Sequence, residues 1–220
     1  MSDAPAPLPL KDRTPLARGK HRLVFEHPLD AGLLIKLPNE AQVRAARGEG
    51  GPWYRRPRRY RQHLGALREV QEHLALHALA GGEGPHLQTL VGFVDTDLGL
   101  GLVSRKVLGR DGALAPTLTR LVHERRFDAA AQAALDRLCH WLLQSPLMLG
   151  DLNARNLVYG FDARHGERFV IIDGIGEKTL IPLNRWSATV RRITKRRQIR
   201  RLRAAIQRLR EKADAAAAAA

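Results

Sequence analysis

Two spacings of apolar residues alternate along the chain, and Gly or Pro marks most of the changes between them. Residues 15–25 read as strand, turn, strand around Gly19, and Gly32-Leu33-Leu34-Ile35-Lys36-Leu37 is a compact apolar strand interrupted by one lysine. From residue 58 to Ala80 the spacing becomes three and four (Tyr60, Leu64, Leu67, Val70, Leu74), which predicts a helix. Gly81 to Pro85 ends it. Residues 87–94 and 98–103 predict two strands joined at Asp95-Thr96-Asp97. Helical spacing returns over 117–123 and 127–144, where Leu135, Leu138, Leu142 and Leu143 share a side and Ser145-Pro146 supplies the stop. Leu157-Val158-Tyr159 and Phe169 to Ile172 predict two more strands about a turn at 162–167. A last helix over 186–212 carries an apolar stripe of Val190, Ile193, Ile199, Leu202, Ile206 and Leu209. The expectation is an α+β chain with a mobile arm at 1–12, a mobile loop at about 39–57 and a frayed end at 215–220.

Composition narrows this picture. With 44% hydrophobic and 27% charged residues over 220 positions, the chain can bury a substantial core. No apolar run approaches the ~18 residues a membrane span needs. The first ten residues lack a positive region followed by an apolar one, so no secretory signal is expected and the cytoplasm is the expected compartment. The one cysteine, Cys139, lies in a helical pattern and reads as a small buried hydrophobe. The formal charge of +15 is unevenly placed: twelve Lys/Arg against one acid between Arg185 and Lys212 put +11 of it in that stretch.

Chemistry concentrates between Asp151 and Asp173. Asp151 and Asn156 stand five positions apart, directly before an apolar strand, and Asp173-Gly174 closes the strand that follows. Phosphoryl transfer uses such groups: one carboxylate orients a hydroxyl, and an amide oxygen with a second carboxylate holds a divalent cation against the phosphates. The D-x4-N spacing alone also fits a polar turn between strands. Joined to a strand and Asp-Gly, it resembles the catalytic and metal-binding loops of the protein-kinase-like superfamily, and Leu34-Ile35-Lys36 resembles the strand that carries the phosphate-contacting lysine.

A longer set of residues narrows the resemblance. Gly19-Lys20-His21-Arg22, Leu34-Ile35-Lys36, Leu67-Arg68-Glu69, Leu152 to Leu157 and the run from Asp173 to Leu183 are similar to the YrbL family, bacterial PhoP regulatory network proteins of the kinase-like clan. That resemblance implies an α+β, two-lobed protein-kinase-like fold with a shortened C-terminal lobe, the lobes covering 13–104 and 105–214. It implies ATP and Mg²⁺ as cofactors. Asp151 would act as base or orient the acceptor hydroxyl, and Asn156 and Asp173 would ligate Mg²⁺. Lys36 would contact the phosphates, held by Glu69 with Glu72 as the alternative partner, and Gly19 would offer a backbone N–H. Arg155 would stand near the transferring phosphate, as in the D-L-A-A-R-N loop of tyrosine kinases. Backbone groups near Lys106 and Val107 would hold adenine.

Three departures weigh against an ordinary protein kinase. Leu149 stands where many kinases have His, Gly19 is the sole glycine of its loop, and only 47 residues follow Asp173, without an A-P-E-like anchor. The acceptor is left open among small-molecule, saccharide and protein hydroxyls, and a pseudokinase-type module that binds nucleotide or a partner is the alternative. The basic helix adds three readings: a stripe packed on the second lobe, attachment to an anionic surface such as the inner membrane, or binding to nucleic-acid phosphates without sequence preference. His73 and His77 stand at i,i+4 but have no third ligand in the pattern.

Overall fold

Alternation along residues 17–38 and 90–105 resolves into an antiparallel sheet. The computed structural model of the chain describes residues 6–19, 21–39, 43–44, 61–82, 84–176 and 187–218. Most of the loop expected over 39–57, Lys20, Tyr60 and the run 177–183 lie outside the described residues. The strands are β1 (Ala17–Arg18), β2 (Arg22–Glu26), β3 (Leu33–Pro38), β4 (Leu90–Thr96) and β5 (Gly99–Arg105), in the order β1-β2-β3-β5-β4. Helix α1 (Leu64–Ala80), preceded by a 3₁₀ turn at Arg61–His63, separates β3 from β4 in sequence. The remaining described elements are α2 (Leu118–His123), α3 (Ala129–Gln144), the hairpin β6 (Leu157–Asp162) and β7 (Gly166–Ile171), and α4 (Ala188–Ala218).

These elements group into two compact units, residues 1–67 with 89–106, and residues 68–88 with 107–220. The lobe boundary expected near residue 104 lies two residues early, and most of α1 groups with the second unit, whereas the whole helix was expected in the first. The reason is its buried face: Leu76 belongs to the core of the second unit.

The first unit is built on Leu10, Phe25, Ile35, Leu37 and Val103. Leu10 belongs to the arm expected to be mobile, yet it is fully buried. Asp97 holds it there: one carboxylate oxygen accepts from Leu10 N at 2.8 Å, and Leu8 exchanges backbone bonds with Asp95 and Asp97. Burying such a leucine is worth about 1.5–3 kcal/mol, which outweighs the entropy of one anchored segment end. From Leu8 onward the arm is therefore part of the fold.

The second unit packs α2, α3 and the β6–β7 hairpin around Leu118, Leu121, Leu135, Leu138, Leu142 and Phe169. Asp128 caps α3 by accepting from Ala131 N at 2.8 Å, and Thr117 caps α2. Cys139 is buried in this core, and burial pushes its thiol up to about 11.

Helix α4 joins the same core through Ile199, Leu202 and Ile206, with Leu209 packed against it. The expected stripe is corrected at its start. At about 100° per residue Ile193 lies ~240° and Val190 ~180° round from Ile199, and both are exposed, Ile193 to 59%. Lys195 fills the place one turn before Ile199. It is 2% exposed, and its Nζ donates to Leu142 O and Ser145 O, both at 2.6 Å. Those carbonyls end α3, where backbone acceptors lack helical partners. Burial, with Arg191 nearby and Glu72 opposing, lowers the Lys195 pKa to about 8. The end expected to fray continues as helix through Ala218, in keeping with alanine's high helix propensity. Among the described residues no helix is long and apolar enough to cross a membrane.

Candidate functional site

Asp151 follows Leu149 and Gly150 out of a buried segment and is itself exposed. Its loop is closed by asparagines. Asn153 Nδ2 donates to Asp151 Oδ2 at 2.9 Å, while Asn153 Oδ1 accepts from Arg155 N at 2.9 Å and Asn156 N at 3.1 Å. This Asx turn fixes the carboxylate and the backbone with one side chain. Asn156 Nδ2 then donates to Asp151 O at 3.2 Å, so the amide nitrogen is committed to the loop and the amide oxygen remains the ligand-capable end. Leu152 and Ala154 point into the core. The alternation of buried and exposed positions from 151 to 155 thus separates anchoring from chemistry.

The segment ending β7 is laced to this loop. Ile172 N donates to Asn156 O at 2.9 Å, and Gly174 O accepts from both Gly150 N and Asp151 N at 2.8 Å. Leu149 bridges Ile175, and Gly176 N donates to Met148 O at 2.8 Å. Gly174 has φ +84°, and a Cβ there would collide with Asp151 O and lie 2.7 Å from Asn156 Nδ2. Only glycine permits so close a crossing. One oxygen of Asp173 accepts from Gly174 N at 2.6 Å, which turns the carboxylate at the crossing. Asp151, Asn156 and Asp173 are therefore brought together by backbone and amide bonds. The hard oxygens of Asn156 and Asp173 are the donor type Mg²⁺ prefers.

The remaining predicted residues distribute as follows. Arg155 is exposed on the same loop. Glu69 is buried on α1 at 3% exposure. Glu72, the alternative to Glu69, accepts from Met148 N at 2.8 Å and so supports the entry to the Asp151 loop. Lys36 is buried on the central strand β3, opposite Val24 on β2 and Leu102 on β5. Gly19 does not offer the backbone donor expected of it: its N–H donates to Arg22 O at 2.8 Å and closes the β1–β2 hairpin. Of the backbone groups expected to hold adenine, Lys106 N donates to Gly32 O and Val107 O accepts from Ala115 N.

Three supporting residues escaped the sequence reading. Asn153 carried a signal, an amide two positions after an Asp in a turn. Gln198 carried almost none: from α4 its Nε2 donates to Leu149 O at 3.1 Å, next to the loop. Lys195 was hidden among arginines.

The model of a family described as "PhoP regulatory network protein YrbL" matches residues 8–207. YrbL of Escherichia coli (strain K12) is 31% identical over 182 residues, 81% of this chain and 78% of its own. YrbL of Shigella flexneri matches with the same identity and coverage. Among solved structures, a double mutant of the Mycobacterium tuberculosis PknI kinase domain aligns with a TM-score of 0.43 and 19% identity, over 73% of this chain and 56% of that one.

Proposed function

The chain belongs to the YrbL family, and on that premise we propose that it is an ATP- and Mg²⁺-dependent phosphotransferase acting on a hydroxyl acceptor. The observation that carries this reading is the crossing at Gly174, which ties the Asp173 turn to the Asp151–Asn156 loop. Asp151, steadied by Asn153, takes the proton of the acceptor hydroxyl as its oxygen attacks the γ-phosphorus and ADP leaves. Asn156 and Asp173 hold Mg²⁺, which when bound neutralises phosphate charge. Arg155 faces the transferred group, and the family resemblance assigns contact with the phosphates to Lys36 and the role of its partner to Glu69.

The test is transfer of label from γ-labelled ATP to pooled small-molecule, saccharide and protein acceptors, with Asp151→Asn and Asp173→Asn run beside the native chain. Transfer reduced at least a hundredfold in Asp151→Asn is expected, on the scale of ~10²–10⁴ for a lost general base. Equal transfer by both proteins refutes the assignment.

Buried Leu149, at the position where kinases carry His, favours a second reading: a regulatory module that binds nucleotide without turnover. It predicts a melting temperature raised by Mg-ATP, lost in Asp173→Asn, and no labelled product. Ligand at 100 times its Kd stabilises by about 2.7 kcal/mol. If neither Mg-ATP nor ADP shifts the transition, both readings fall.

A further inference from the structure

Beyond its first two turns, helix α4 turns its large apolar residues inward and leaves most of its arginines outside. Ile199, Leu202 and Ile206 are in the core, while Arg192, Arg196, Arg197, Arg200, Arg201 and Arg208 are exposed. Two neighbouring arginines are neutralised or packed: Arg203 pairs with Asp136 at 2.8 Å, and Arg210 covers the Phe127 ring. Among the described residues no acid pairs with any of the six. At about 100° per residue they occupy one side of the helix, about 180° wide, in rows spaced i,i+4. From Arg192 to Arg208 the rows extend about 24 Å at 1.5 Å per residue. A single strand of B-form duplex places about seven phosphates along that length at 3.4 Å each. Uncompensated charge of this density on a rigid element calls for an anionic partner of similar length.

We propose that the exposed arginine face of α4 binds the phosphodiester backbone of nucleic acid, without sequence preference. Two observations favour a polynucleotide over a lipid surface. Stable membrane attachment needs a second, apolar signal beside the basic one, and of the large apolar residues of α4 only Val190 and Ile193, in its first two turns, are exposed, while the rest of the stripe lies inside the protein. All six residues are arginine, whose planar guanidinium pairs bidentately with phosphate; diffuse adsorption to a charged bilayer makes no such distinction from lysine. The face lacks aromatic side chains on which bases could stack, so recognition stops at the backbone. This inference is independent of the phosphotransferase reading, because none of the six arginines belongs to the Asp151–Asp173 site.

The experiment uses the full-length chain, since deleting the helix would remove core residues. Fluorescence anisotropy with labelled mixed-sequence 20-mers, single-stranded and duplex, is measured between 50 and 200 mM salt. Vesicles of phosphatidylcholine and phosphatidylserine at matched anionic charge form the comparison. If about four phosphates are neutralised, duplex affinity falls about a hundredfold over that range. Replacing all six arginines by Gln should abolish the salt dependence at an unchanged melting temperature. The smaller set Arg192→Gln, Arg196→Gln and Arg200→Gln should roughly halve the salt slope, and guards against a folding defect in the full set. Unchanged polynucleotide binding in the Gln variants, no binding at 50 mM salt, or tighter binding to vesicles than to polynucleotide would each overturn the proposal.

Discussion

Replacing Gly174 by Ala tests whether the crossing of two loops holds the candidate site together. The backbone there is at φ +84°, which costs an L-residue about 1–2 kcal/mol. The new Cβ would also collide with Asp151 O, and relieving that collision displaces the carbonyl that accepts from Asn156 Nδ2. It also strains the two bonds from Gly150 N and Asp151 N to Gly174 O. At about 1 kcal/mol for each of the three bonds disturbed, the total comes to roughly 4–5 kcal/mol. Gly166, which opens β7 after the hairpin turn, supplies the control. Its φ is +66°, but a Cβ there would meet nothing within 4 Å, so Gly166→Ala measures the backbone cost alone. Urea unfolding would be followed by the fluorescence of Trp141, which packs against the core of the second unit, after changing Trp53 and Trp186 to Phe. Gly174→Ala should lose about 3 kcal/mol more than Gly166→Ala, together with any Mg-nucleotide stabilisation. Equal losses in the two variants would show that the close approach does not brace the loop.

Three further outcomes follow from named contacts. Lys195→Met leaves the Leu142 and Ser145 carbonyls without their donor and should destabilise by roughly 2–4 kcal/mol in urea unfolding. The folded Lys195 titrates at about 8 against 10.5 for the ordinary side chain, so between those values the unfolded chain binds more protons. The cost of burying the cation is therefore full below pH 8 and released as pH rises towards 10.5. Native stability should gain relative to Lys195→Met across that window, and parallel pH profiles would contradict it. Cys139, buried and with its thiol pushed up to about 11, should react with a thiol reagent at pH 8 only on unfolding; rapid labelling of the native chain would count against its burial. Asn153→Ala should lower kcat about 10–100-fold with little change in the KM for ATP, on the scale of a lost positioning partner; an unchanged kcat removes Asn153 from that role.

Where local chemistry dictated the outcome, the sequence was readable. Helices α2 and α3 followed from apolar spacing, with Ser145-Pro146 marking the end of α3, and the hairpin β6–β7 from two apolar runs about a polar turn. The Asp151–Asn156 loop was legible as a polar turn ahead of an apolar strand, because Asp and Asn side chains close such turns themselves. What escaped depended on contacts distant in sequence. Leu10 looked like part of a Pro- and Ala-rich arm until Asp97, 87 residues on, was seen to hold it. Val190 and Ile193 joined a stripe that counts well by eye but turns away from the core over two helical turns. Lys195 read as one more charge in a basic run, and only the packed α3 end reveals it as a buried cap. Gly174 was legible as part of Asp-Gly, but its collision geometry with Asp151 was not.

The last helix also has a meaning in the order of synthesis. Lys195 closes the end of α3, Gln198 holds the carbonyl of Leu149 beside the Asp151 loop, and Ile199, Leu202 and Ile206 complete the core of the second unit. All five follow the β6–β7 hairpin in chain order and emerge during translation after the rest of that core. The first unit has all of its strands by Arg105 and can condense while synthesis continues, as domains generally do. The second cannot settle its candidate site until α4 has left the ribosome. A nascent chain that stops short of α4 thus presents a formed sheet and an unfinished candidate site.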